Sequence, residues 1–259
     1  MKVEGGFVPV ELRIGGEPWE PVIEARVYAV NRESAEKAFA GLLSVVRAQF
    51  RYADFLRAVE RWPRLRRLAE AYPGLRPGRC LGLYEALVDV VVKQRVALRV
   101  ALSTSAKLVE RYGARKIVGD RVFYSYPEPA RLASASLGEL RSLGLTRLKA
   151  RALHEIAQAE LENRLPSVDE AVKNPWETAR ELQRLYGIGP WSAELAVAMV
   201  HPLFPIGPSS DLAVKRGLST IMGRELSSSE VARVLNELGD YAGLVMYLAA
   251  FHYEDQKHR

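Results

Sequence analysis

The sequence is nearly devoid of cysteine: Cys80 stands alone among 259 residues. A single thiol closes no intrachain disulfide and builds no cysteine cluster for a metal. No apolar run is long enough to cross a bilayer, and the chain does not open with a secretory leader, so a soluble intracellular protein without a membrane partner is expected. Asparagine and glutamine are few and arginine greatly outnumbers lysine, a bias that hints at a heat-adapted source. No internal repeat and no low-complexity tract interrupts the chain, so a repeat array is not indicated. What is present is length enough for one large or two modest domains with a sizeable core. The net charge of +6 and pI of about 9.4 suit a polyanionic partner or merely a solvated surface.

Residues 1–31 differ from the rest. Phe7 to Ile14 alternate partially, Gly15-Gly16-Glu17-Pro18 reads as a turn, and Val22 to Val30 is a second strand candidate. Two strands alone are marginal, so they should lie against a helix near 33–48 as a small α+β subdomain covering residues 1–50. Beyond it, apolar periodicity is helical. Helices are predicted over 33–48, 52–59, 63–71, 82–93, 97–112, 129–134, 136–143, 147–162, 167–172, 175–186, 191–200, 211–221, 227–238 and 241–253. The segment 113–128 reads as a loop, in which Arg121 to Tyr124 is either a short strand or packed aromatics. The fold class is mostly α, with residues 51–259 as the helical body.

The rest of the chain is organised around Leu182 to Glu194, which reads as helix, tight glycine turn, helix. Leu182 and Leu185 share a helical face that ends at Tyr186. Gly187 can take the positive φ that closes a helix. Gly189 admits a second backbone, and Pro190 suits the first position of the next helix. Exposed amides at such a turn and helix N-terminus can bind a phosphate without reading bases. An ordinary helix-turn-helix corner would show the same short motif. After the second helix comes a loop with three prolines, 202–208, and then Asp211 opening Leu212-Ala213-Val214-Lys215. Asp211 reads as an N-cap, and also as a carboxylate at the mouth of the hairpin, where a helix N-terminus favours negative charge.

The hairpin Leu185-Tyr186-Gly187-Ile188-Gly189-Pro190-Trp191-Ser192-Ala193, the Gly/Pro loop and Asp211 with Lys215 four residues on resemble the helix-hairpin-helix (HhH-GPD) DNA glycosylases. Within them the chain is most similar to the AlkA-type 3-methyladenine glycosylases. Leu83 to Val88 with Lys93-Gln94-Arg95-Val96, Pro127 to Ala133, and Leu143 to Ala150 match further ordered segments of that family, so about residues 75–255 are covered.

The resemblance implies a multi-helix HhH-GPD glycosylase fold, with the hairpin at 178–200 and the catalytic loop at 201–211, behind a reduced N-terminal β subdomain. It implies a monofunctional enzyme that flips alkylated purines out of duplex DNA and hydrolyses their N-glycosidic bond in base excision repair. Asp211 would stabilise the oxocarbenium-like sugar. Trp191 would face the base in a pocket shared with Leu195, Tyr247 and Phe251. Leu195 stands where the family has a tyrosine, so the pocket is less aromatic. Gly187, Gly189, Trp191, Gln94, Arg95 and Lys215 would contact DNA, with Arg95 in place of the family's apolar wedge. Bifunctional relatives place a nucleophilic lysine where Trp191 stands. No cofactor is implied, no side chain is proposed to hold a metal, and hairpin carbonyls can hold a monovalent cation. The lone Cys80 excludes the iron–sulfur cluster of some relatives. Partners would be damaged double-stranded DNA, with the protein monomeric, cytoplasmic and nucleoid-associated. Two other readings stay open: a non-enzymatic DNA clamp, and a bifunctional oxidised-purine glycosylase/lyase using an unexpected lysine.

Overall fold

The computed structural model describes residues 1–3, 6–18 and 20–257. It opens with a short hairpin of β1 (Lys2–Val3) and β2 (Gly6–Phe7), then a longer one of β3 (Val10–Glu17) and β4 (Glu20–Val27). Both are antiparallel, and Gly15 pairs with Val22 and Gly16 with Pro21. The expected turn at 15–18 is therefore misplaced. The two glycines continue the strand to Glu17, which pairs with Glu20, and Trp19 lies outside the described residues. Gly15 leaves open space where a Cβ would stand, so nothing in the packing forces a turn there.

The helices follow as α1 (Arg32–Val45), α2 (Tyr52–Ala58), α3 (Pro63–Ala71), α4 (Leu83–Lys93) and α5 (Leu98–Tyr112). A third hairpin, β5 (Arg115–Val118) with β6 (Arg121–Tyr124), turns at Gly119, whose φ is 61°. This resolves the 121–124 ambiguity in favour of a strand. Then come α6 (Pro129–Ser134), α7 (Leu137–Ser142), α8 (Arg147–Leu161), α9 (Val168–Lys173), α10 (Pro175–Leu182) and α11 (Pro190–Val200). The chain closes with α12 (Leu212–Met222), α13 (Ser228–Leu238) and α14 (Ala242–Lys257).

Local chemistry sets most boundaries. Ser136, Ser167 and Ser227 start α7, α9 and α13 with reciprocal bonds to Glu139, Glu170 and Glu230 three residues on. Proline opens α3, α6, α10 and α11. Gly223 ends α12 in the left-handed region. Three ends differ from expectation. Helix α1 stops at Val45, and α14 runs on to Lys257. Helix α10 stops at Leu182, because the next residues tighten into i→i+3 turns: Leu185 N–H donates to Leu182, and Ile188 N–H to Leu185.

The buried side chains form two clusters. One joins α4–α11 around Leu87, Val91, Leu153, Ile156 and Val197. The other joins α2, α3 and α12–α14 around Phe55, Leu65, Leu218, Leu235 and Leu248. The loop 201–211 stitches them together, since Phe204 is buried in the second cluster and Ile206 in the first. Backbone bonds fix it there: Phe204 N–H donates to Asp240, and Gly243 N–H donates back to Phe204. Gly243 has to be glycine, because an added Cβ would stand 2.3 Å from the Ile206 carbonyl oxygen.

Arg47, just past α1 with φ 52°, pins this loop from behind. Its buried guanidinium donates to the carbonyls of Pro77, Ala198, His201 and Pro202 and stacks 4.2 Å from the Phe204 ring centroid. Burial lowers its pKa to about 10, yet the carbonyls at the C-terminus of α11 are where a cation is favoured.

Candidate active site

The site is built where α11 begins and the loop ends. Gly187 has φ 77°, the value the sequence required of it. A Cβ there would also stand 3.1 Å from the Ala152 Cβ, so α8 supports the turn closely. Gly189 has extended backbone, and nothing lies within 4 Å of where its Cβ would be. Its open side faces away from the protein, and the N–H groups of Gly187, Gly189 and Trp191 have no acceptor among the described residues. Tyr186 N–H is taken by the Glu155 carboxylate at 3.1 Å, and Arg151 stacks 3.9 Å from the Tyr186 ring centroid. The turn is thus held from inside while a row of amides stays available outside.

Trp191 lies in the first turn of α11, partly buried against the first core. Its indole Nε1–H donates to Asp211 Oδ2 at 2.7 Å. Asp211 is the N-cap of α12: its Oδ1 accepts from Ala213 N–H at 2.7 Å and Val214 N–H at 3.3 Å. The cap and the hairpin-facing carboxylate anticipated from sequence are therefore one side chain using its two oxygens differently. Lys215, one turn on, makes no ion pair with Asp211 among the described residues.

Gln94 and Arg95 form the turn after α4. The Gln94 side-chain amide donates to Gly187 O at 3.0 Å and to Ser192 Oγ at 2.9 Å, which ties this turn to the hairpin. Arg95 is exposed and has φ 51°, a strained backbone for a side chain with a Cβ. Below it, buried Lys149 donates from Nζ to the Val92 carbonyl at 2.8 Å, at the C-terminus of α4. Desolvation lowers the Lys149 pKa.

Of the remaining expected pocket residues, Tyr247 and Phe251 meet each other, but no described contact joins Leu195 to them. Leu195 packs with the first core and Tyr247 with the second. Phe251 stacks on Tyr247, with centroids 6.3 Å apart, and meets Tyr72 edge-on at 5.3 Å. Sequence reasoning did not single out Ser192, Glu155, Arg47 or Glu194. Their partners lie far along the chain, and nothing in their local pattern marks them. The hairpin carbonyls of Leu185, Gly187 and Gly189 already accept from Ile188, Gln94 and Ala193. Each keeps a lone pair, so the donor type suits a monovalent cation. Among the described residues no cluster of His, Cys, Asp and Glu could hold a metal, and no helix is long and apolar enough to cross a membrane.

Comparison with known proteins follows this geometry. The family described as "HhH-GPD superfamily base excision DNA repair protein" matches residues 88–239, which include Gln94, the hairpin and Asp211. The chain is 34% identical over 134 residues to "DNA-3-methyladenine glycosylase 2" of Escherichia coli (strain K12). That alignment takes in 50% of this chain and 45% of the relative, so the chain spans under half of that protein's length. In three dimensions the fold is similar to "3-methyladenine dna-glycosylase from Archaeoglobus fulgidus", with TM-score 0.79 and 25% identity over 99% of this chain and 86% of the other. It also resembles a Clostridium acetobutylicum 8-oxoguanine glycosylase/lyase in complex with double-stranded DNA, with TM-score 0.75 and 16% identity over 95% and 82% of the two chains. The likeness to that lyase concerns the fold. The fold, the hairpin and the matched residues together place this chain in the HhH-GPD superfamily of base excision DNA repair proteins.

Proposed function

We propose that the protein is a monofunctional DNA glycosylase that releases alkylated purines of the 3-methyladenine type from duplex DNA. The observation that carries this reading is the 2.7 Å bond between the Trp191 indole and Asp211. An electron-rich ring and a carboxylate face each other beside a turn with unsatisfied amides. The relatives named for 3-methyladenine add support for the substrate class.

Each part has a physical task. The Gly187, Gly189 and Trp191 amides grip a backbone phosphate. Arg95, exposed beside the hairpin, fills the gap left by the swung-out nucleotide, its guanidinium plane stacking on neighbouring bases. Trp191 offers its face to a cationic base. Asp211 stabilises the positive charge that develops on the sugar as the bond to the base breaks, and orients the attacking water. Lys215 approaches the backbone from the next turn. Residues 1–50 act as a subdomain that buttresses the 201–211 loop through Arg47.

Position 191 holds an indole, not an amine, and the Lys149 amine is buried on a carbonyl. Both observations favour hydrolysis that leaves an abasic site in an intact strand. The test is incubation of methylated duplex DNA with the wild type and with Asp211→Asn. Release of 3-methyladenine and alkali-revealed abasic sites by the wild type alone support the reading. No release by the wild type from any alkylated duplex overturns it, in favour of a DNA-binding clamp.

A further inference from the structure

Helix α11 carries Trp191, Glu194, Leu195 and Ala198 at i, i+3, i+4 and i+7, so the four share one side. All four are partly exposed, while Ser192, Ala193, Ala196, Val197 and Val200 are buried in the first core. The segment ending at Asp211 lies over this side. The indole bonds to Asp211 Oδ2, and the Ser209 amide, whose N–H donates to the Gly207 carbonyl at 2.9 Å, is near enough to favour the ionised Glu194 carboxyl. Glu194 is half-buried; desolvation raises its pKa, opposed in part by that amide.

Neither Glu194 nor Asp211 has an ion-pair partner among the described residues. Some carboxylates elsewhere do: Asp89 pairs with Lys93, and Glu230 with Arg224. In a chain of net charge +6, two carboxylates without an ion pair stand on the side of α11 that carries the indole, Asp211 bonded to it and Glu194 one turn along the helix. Asp211 is offset by the Ala213 and Val214 amides and the indole N–H, but half-buried Glu194 has no ion-pair partner among the described residues, which leaves its charge to be met by positive charge from outside. Under the glycosylase reading, Asp211 answers the charge that develops on the sugar, and a second charge is left to account for.

We propose that Glu194 is a specificity-determining residue of the base pocket, its carboxylate pairing with the positive charge of an alkylated purine held against Trp191. This inference rests on the base-binding role given above to Trp191. An aromatic face accepts any flat base, charged or neutral. A carboxylate discriminates, because its charge attracts a cationic base beyond any hydrogen bond it accepts from an N–H of a neutral purine. The other side chains assigned to the pocket, Leu195, Tyr247 and Phe251, bring no charge.

The test is Glu194→Gln, which keeps the side-chain volume and an acceptor for the Ser209 amide. Single-turnover release of 7-methylguanine from methylated duplex DNA is compared with release of hypoxanthine from a single-lesion duplex. Losing a charged partner should slow the cationic substrate roughly 10- to 100-fold and leave hypoxanthine within about threefold. An equal fall for both substrates would assign Glu194 to holding the loop and overturn the inference; so would no change in either. Binding is measured separately, by quenching of tryptophan fluorescence with 1-methyladenosine, a cation at neutral pH, against adenosine. The wild type should prefer the cation, and Glu194→Gln should lose the preference; a preference that persists in the variant, or is missing from the wild type, refutes it. Should the wild type release no base at all, the glycosylase reading fails, while the nucleoside titration still decides the role of Glu194.

Discussion

Two tasks converge on Asp211, and substituting it separates them. Its Oδ1 caps α12 through the amides of Ala213 and Val214, while Oδ2 accepts the Trp191 indole N–H. Asparagine keeps a single oxygen. With that oxygen on the helix, where Asn caps as well as Asp, the NH2 group faces the indole donor to donor. Trp191 then loses its acceptor, at a cost of about 1 kcal/mol. Alanine forfeits the cap as well, about 1 kcal/mol more. At roughly 2–4 °C per kcal/mol for a chain of this size, Asp211→Asn should melt about 3 °C below wild type and Asp211→Ala about 6 °C below. Catalysis should not follow that order. Both variants lack the carboxylate, so base release should fall on the order of 10²- to 10³-fold in each. Trp191→Phe isolates the indole bond: in that background Asp211→Asn should cost only a few tenths of a kcal/mol, a coupling of about 1 kcal/mol in the double-mutant cycle. Circular-dichroism melts and single-turnover release from methylated duplex DNA give both readouts. An Asn variant within about tenfold of wild-type activity would refute the chemical role. Equal melting of the Asn and Ala variants would refute the division of labour between the two oxygens.

The hairpin glycines should fail in different ways. Gly187→Ala forces a Cβ into positive φ and against Ala152, and should destabilise by about 1–2 kcal/mol in denaturant titrations; a neutral effect contradicts the turn geometry. Gly189→Asp meets open space, so the fold should persist while affinity drops alike for every duplex sequence; unchanged titrations at moderate salt argue against the clamp. Gln94→Ala removes both bonds to the hairpin and should weaken binding of lesion duplex about tenfold, with little change in melting; full affinity would show that the tie is dispensable. Borohydride added during turnover should trap no covalent protein–DNA adduct, because position 191 carries no amine; a trapped adduct lost in Lys215→Ala would point to a lyase instead.

Helix boundaries were legible because they depend on neighbours in sequence. Ser136, Ser167 and Ser227, each with a glutamate three residues on, announce their helices, and so do the prolines that open α3, α10 and α11. The positive φ of Gly187 was legible for the same reason, as part of the tight turn into α11, although α10 itself ends at Leu182. The misplaced turn at Gly15-Gly16 shows the converse. Glycine permits a turn without requiring one, and the register of β3 on β4 carried the chain three residues further. The link from Gln94 to Ser192 crosses 98 residues, and the one from Arg47 to Pro202 crosses 155. No local pattern encodes such contacts; only a resemblance that aligned Gln94 with a DNA-facing turn hinted at the first.

The division of the core explains why Asp211 is placed by elements so remote in sequence. A loop with three prolines would wander on its own, yet this one has an anchor in each cluster, Phe204 in one and Ile206 in the other, two residues apart. Extended backbone would put residues two apart on the same side, yet Phe204 and Ile206 enter different clusters, so the chain bends between them, at Pro205. At the adjacent Gly207 the loop runs close to α14, where an added Cβ would stand 3.3 Å from the Gly243 Cα and would displace the Met246 methyl. From Gly207 only the stretch Pro208-Ser209-Ser210 separates the anchored loop from the carboxylate, and Asp211 N–H closes it by donating to Pro208. Precision at the carboxylate is therefore inherited from two hydrophobic clusters and a buried arginine, the first cluster also supporting the indole that the carboxylate faces. A substitution that loosens either anchor, Phe204→Ala or Arg47→Met, should widen the Trp191–Asp211 separation without touching either residue, and by positional sensitivity alone should depress turnover more than binding.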